Sequence, residues 1–165
     1  MKGNAVAGGG LCAALCVALL FGASYLPVKL AFVFASSIVM GICILRYKTF
    51  PSIIAYLVAS LISVFVVPNK LVAFSFVVIF GIYPIVKLHI EKIRNIALEY
   101  VFKFVSWNVQ IFFMYIVLAA MGQNSLFNVG RFWIWACMIL VFLAYDLIFG
   151  IVINSFYRTY YKFLK

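Results

Sequence analysis

Apolar residues run along this chain in six long blocks, separated by polar clusters at 27–29, 46–49, 68–70, 87–103 and 122–125. The blocks are continuous rather than alternating, so they suit helices that satisfy their own backbone in lipid and not the strands of a barrel. Each is close to the roughly 20 residues that cross a bilayer's hydrocarbon core. The pattern predicts an all-α polytopic membrane protein, one bundle of six transmembrane helices over residues 1–165. Their expected bounds are about 10–26, 30–45, 51–67, 71–86, 104–121 and 131–158.

The breakers fit those bounds. Pro27 with Lys29 makes a turn, Pro51 suits the first turn of the third helix, and Pro68-Asn69-Lys70 makes another turn. Pro84 should kink the end of the fourth helix. Within 87–103 the apolar residues Leu88, Ile90, Ile93, Ile96, Ala97, Val101 and Phe102 recur near helical spacing. Among them stand Lys87, His89, Glu91, Lys92, Arg94, Asn95, Glu99 and Lys103, so an amphipathic helix on the membrane surface is expected there. Lys2 before the first block resembles a signal peptide's opening, but no small-x-small cleavage site precedes the second block, so the first helix is expected to stay.

Composition strengthens the membrane reading. The chain is 68% hydrophobic and 10% charged, against about a quarter charged in soluble domains, and its mean hydropathy is +1.23. The net charge of +10 is a topology signal before it is a nucleic-acid signal, and no nucleic-acid partner is expected. With six spans, Lys2, Arg46, Lys48, Lys87, Lys92, Arg94, Lys103, Arg158, Lys162 and Lys165 share the side of the termini. Lys29, Lys70 and Arg131 lie on the other. The positive-inside rule then places both termini in the cytoplasm of a multi-pass cell-membrane protein. Trp107, Trp133, Trp135, Tyr157, Tyr160 and Tyr161 lie near helix ends, as an interfacial belt would.

Few residues offer chemistry. Cys12, Cys16, Cys43 and Cys137 fall inside apolar blocks without metal-ligand spacing, so they read as packing residues and no metal is expected. His89 has no paired acid or nucleophile. HExxH, GxSxG and nucleotide-cradling Gly-Lys-Ser/Thr patterns are absent, so neither an enzyme nor a cofactor is expected. Gly8 to Gly10 signal local flexibility. Asp146 stands out: of three acidic residues it alone has no charged neighbour within ten positions. A carboxylate in mid-membrane is costly unless paired, protonated or facing water. It is either a ligand, proton or ion site or a structural carboxyl held by Asn108, Gln110, Tyr145 or Asn154. Tyr25, Lys29, Asn69, Lys70, Gln123, Asn124 and Arg131 supply the polar groups of the outward loops. Tyr25, Lys29, Asn69, Lys70, Asn124 and Arg131 join Asp146 as candidate contacts to a polar or anionic small molecule, against the alternative that loop cations serve solubility.

Ala14, Ala18 and Gly22 recur every four residues in the first helix and permit close approach of another helix. Six short helices, termini inside and this Ala14-to-Ala18 element resemble the substrate-binding S component of energy-coupling factor (ECF) vitamin transporters. The run Pro68-Asn69-Lys70, the run Phe80-Gly81-Ile82-Tyr83-Pro84-Ile85-Val86-Lys87 and the pair Tyr145-Asp146 are also similar to small six-helix bacterial membrane proteins placed near that group. The resemblance implies that Ala14, Ala18 and Gly22 dock on a coupling transmembrane subunit served by ATPase subunits. It also implies a micronutrient such as a vitamin held towards the outer face, in a protein surrounded by membrane lipid. Two alternatives stay open: a non-catalytic scaffold similar to the rod-shape protein MreD, and a proton-coupled carrier using Asp146.

Overall fold

A helix is the form in which each apolar block can bond its own backbone, and the computed structural model carries every block as helix. It describes the backbone of residues 2–91, 93, 95–122 and 131–163, and the side chains of these except 2, 96, 131–138 and 159–163. In chain order come α1 (Lys2–Tyr25), α2 (Lys29–Tyr47), α3 (Thr49–Val66), α4 (Lys70–Ser75), a π-helical segment (Phe76–Phe80), α5 (Tyr83–Ile90), α6 (Ile96–Ala120) and α7 (Arg131–Phe163). The segment Lys70–Ile90 counts as one crossing, so among the described residues six helices are long and apolar enough to span a membrane. No strand occurs among the described residues.

The expected bounds hold best where the block edges are sharp. They fail at the first helix, which starts at Lys2 and takes in Gly8 to Gly10 rather than following them, and at 87–103, where no separate surface helix forms among the described residues. α5 runs to Ile90 and α6 starts at Ile96, so most of that segment extends two spanning helices, and of its charged residues Lys92 and Arg94 lie outside the described residues. Asn95 sets the start of α6 by accepting the Ala97 amide on its Oδ1 at 3.1 Å, as a preferred N-cap residue does. Lys48 alone joins α2 to α3, with a left-handed φ of 68°.

Lipid offers no hydrophobic drive between helices, so close packing of small groups must hold them. α1 turns Ala13, Cys16, Leu20 and Ala23 inward, and α2 answers with Val33, Ser36, Ser37, Met40 and Cys43, all buried. The Cys16 thiol donates to the Ser36 carbonyl at 3.4 Å and Cys43 accepts from Ser52; the side chain of Cys137 lies outside the described residues. The face Ala14, Ala18, Gly22 is a different one: both alanines are exposed and Gly22 is half-buried.

The fourth crossing is broken at mid-height. Gly81 N–H donates to Phe76 O, five residues back, at 2.7 Å, and Tyr56 on α3 donates its hydroxyl to the Val77 carbonyl at 2.7 Å. A π-turn widens the helix and frees such a carbonyl. Pro84 then falls in the first turn of α5, where its missing N–H costs nothing. The kink therefore comes before Pro84, at Gly81.

Candidate buried charge site

α7 carries Asp146 into a ring of aromatic side chains. Tyr145 beside it is buried, shares a 2.6 Å hydrogen bond with Ser37 of α2, and packs edge-on against Phe34 and Phe80. Trp107 of α6 stacks on Phe142 with centroids 4.6 Å apart. Stacked and T-shaped aromatic pairs of this kind fix the relative height of the helices. They also give the depth of the site: Tyr145 is level with Ser37, eight residues after Lys29, or about 12 Å along the helix axis.

Three donors converge on Asp146. The Tyr83 hydroxyl donates to Oδ1 at 2.5 Å. The Lys87 ammonium donates to the same oxygen and, at 3.1 Å, to the Asp146 backbone carbonyl. Lys103 Nζ lies 3.5 Å from Oδ2. Each lysine is also tied to the polar connection between α5 and α6. Glu91 Oε1 sits 3.6 Å from Lys87 and 3.3 Å from Lys103, and Glu99 accepts from Lys103 at 2.6 Å.

The local sequence explains the convergence. Tyr83, Lys87 and Glu91 are four residues apart, as are Glu99, Lys103 and Trp107, so each set occupies one helix face. Those faces meet α7 at Asp146. The lysine side chains are 7% exposed and that of Asp146 16%, so the low-dielectric surroundings strengthen each pairing. Two ammonium groups face three carboxylates, leaving the cluster one negative charge in excess.

A cleft of about 320 Å³ opens beside the cluster between α2, α5 and α7, lined by Gly41, Lys87, Glu91, Gly150, Asn154 and Tyr157 among others. Gly150 lies against the pair, a Cβ there being in van der Waals contact with Lys87 Nζ at 3.5 Å.

The other expected site residues lie elsewhere. Tyr25 and Lys29 are exposed on either side of the α1–α2 turn. Asn69 caps α4, accepting from the Leu71 and Val72 amides at 3.1 and 3.4 Å. Lys70 closes α3 by donating to the Val64 and Val67 carbonyls at 2.7 and 3.3 Å. These two use their polar groups on helix ends. Asn124 and the side chain of Arg131 lie outside the described residues, as do Gln123 and the side chains of Trp133, Trp135, Tyr160 and Tyr161.

Of the partners expected for Asp146, Tyr145 touches the cluster through its ring, which packs on Tyr83 with centroids 4.9 Å apart. Asn108 donates to the Phe104 carbonyl at 2.8 Å and Gln110 to Ser106 at 3.5 Å, while Asn154 lines the cleft. Trp107, expected at the interface, is 2% exposed in the core. Sequence reasoning missed Tyr83, Lys87 and Lys103 as partners because it assigned both lysines to a surface loop. The signal was present: a lone mid-membrane carboxylate demands a cation, and these two lysines stand at the two ends of the 87–103 segment, next to the apolar blocks. Comparison with family models, with curated proteins and with solved structures finds no match.

Proposed function

We propose that this protein is the substrate-binding membrane subunit of a transporter of the S-component kind. It takes up a small micronutrient, sits in the cell membrane with both termini in the cytoplasm, and draws energy from partner ATPases through a coupling subunit. The observation that carries this reading is the division of α1 into a buried face and a separate small-residue face. Ala13, Cys16, Leu20 and Ala23 are consumed by the protein's own core, whereas Ala14 and Ala18 remain exposed beside half-buried Gly22. The small-residue face has no internal use, and it is the geometry by which another helix can approach closely. The double variant Ala14→Trp/Ala18→Trp tests it by affinity purification from the native membrane in mild detergent. The parent should bring down a membrane subunit and ATPases and the variant should lose them with its fold intact; undiminished recovery would falsify the docking face.

The charge cluster favours a second reading, a carrier coupled to protons through Asp146, with the cleft as its route to the aqueous side. Buried ionisable groups facing one another between membrane helices recur in substrate and proton pathways. The triple replacement Tyr83→Phe/Lys87→Met/Asp146→Leu removes two of the three donors with the acceptor, and the third, Lys103, keeps Glu91 and Glu99 as partners. Under this reading it folds but abolishes proton-driven uptake into proteoliposomes. Full uptake by the triple variant eliminates the carrier.

A further inference from the structure

The first helix carries three consecutive glycines that neither reading uses. Gly8 abuts the Tyr47 ring of α2, and a Cβ on Gly9 would lie 3.5 Å from the Pro51 carbonyl oxygen and 3.7 Å from Ala55 of α3. Those two glycines let α1 close on its neighbours. Gly10 is different, with nothing within 4 Å of a Cβ position. The open space belongs to an apolar groove of about 580 Å³ between α1 and α3, lined by Val6, Gly10, Ala13, Phe50, Ile54 and Val58 among others. Val6 and Phe50 are 72% and 74% exposed along it.

Two exposed cations precede the groove residue Phe50 in the chain. Lys48 is exposed and precedes Phe50 by two residues. Arg46, also exposed, lies over the Tyr47 ring at 5.6 Å from its centroid, and that ring rests on Gly8. No acidic residue occurs before Glu91, so nothing in α1, α2 or α3 offsets these charges.

We propose that the groove binds an anionic phospholipid, with one acyl chain between α1 and α3 and the headgroup phosphate at Lys48 and Arg46. A flexible apolar chain suits a groove that lacks any acidic side chain, and exposed Lys48 and Arg46, with no acidic residue in α1, α2 or α3, favour a negative headgroup. Each Lys or Arg near an anionic lipid strengthens binding by about fivefold.

The probes are phosphatidylglycerol and phosphatidylcholine, titrated onto the full chain in detergent and counted by native mass spectrometry. One phosphatidylglycerol should bind per chain in preference to phosphatidylcholine. Lys48→Gln should weaken phosphatidylglycerol by about fivefold and leave phosphatidylcholine unchanged. Gly10→Leu should weaken both, because its side chain enters the groove, and the helix tolerates it since Leu is the better helix former. Equal affinity for the two lipids, or a Gly10→Leu variant that binds phosphatidylglycerol like the parent, overturns the proposal. So does a polypeptide held stoichiometrically by the parent and released by Gly10→Leu.

Discussion

Asp146 is the residue whose removal the structure can least absorb. Its two oxygens receive Tyr83, Lys87 and Lys103, and truncating one member of a buried pair strands the others' charge at a cost of about 3–5 kcal/mol. Glu91 and Glu99 still face the lysines, so Asp146→Ala is expected near the lower end, about 3 kcal/mol, read as a lowered thermal midpoint in detergent. Replacing Tyr83, Lys87 and Asp146 together by Phe, Met and Leu should recover most of that loss, because like-sized apolar groups substitute for a buried pair nearly neutrally. A triple variant no more stable than Asp146→Ala would mean that the ring of aromatic side chains, and not charge pairing, depends on the carboxylate. At this scale the sequence made half the site legible. A carboxylate without charged neighbours announces itself, but partnership across 59 residues, from Lys87 to Asp146, is a property of packing. Trp107 illustrates the same limit: its position near a predicted helix end read as interface, whereas α6 starts at Ile96 and buries it.

Helices were legible in number because six apolar blocks of spanning length leave lipid no other solution. Their ends were less so, since a helix continues into polar sequence wherever another helix supplies partners, as α5 and α6 do for Lys87 and Lys103. The π-segment left no pattern in the sequence, because its i to i+5 bond depends on Tyr56 drawing off the Val77 carbonyl. Gly81 rather than Pro84 should therefore be the sensitive position of this crossing. A Cβ on Gly81 would lie 2.8 Å from a Tyr56 ring carbon and 2.9 Å from the Phe76 carbonyl oxygen. One of these neighbours is backbone and cannot swing away, so Gly81→Ala should cost about 1–3 kcal/mol, as overpacking does. Pro84→Ala should change stability by less than about 1 kcal/mol, because a first-turn proline gives up no helix bond. Equal sensitivity at the two positions in denaturant titrations would refute the placement of the break.

Orientation belongs to the whole molecule, and the buried cluster changes how its charges should be counted. The six-span reading assigns ten of 13 basic residues to the side of the termini, but Lys87 and Lys103 are buried against carboxylates and do not act as free interfacial charges. Setting those two aside leaves 10 − 2 = 8 against the three of Lys29, Lys70 and Arg131. The asymmetry survives, and it rests on short connections near helix ends, where the positive-inside rule is strongest. The consequence is a labelling pattern in intact cells. A cysteine at exposed Val28, in the α1–α2 turn, should react with a membrane-impermeant maleimide from outside. One at exposed Lys48, between α2 and α3, should react only after permeabilisation. Because Cys16 and Cys43 are fully buried, they add little background. The reverse pattern would invert the protein in the membrane. It would also turn the cleft beside Lys87 towards the exterior, the side from which a nutrient arrives, so the same experiment decides which face of the charge cluster a substrate could reach.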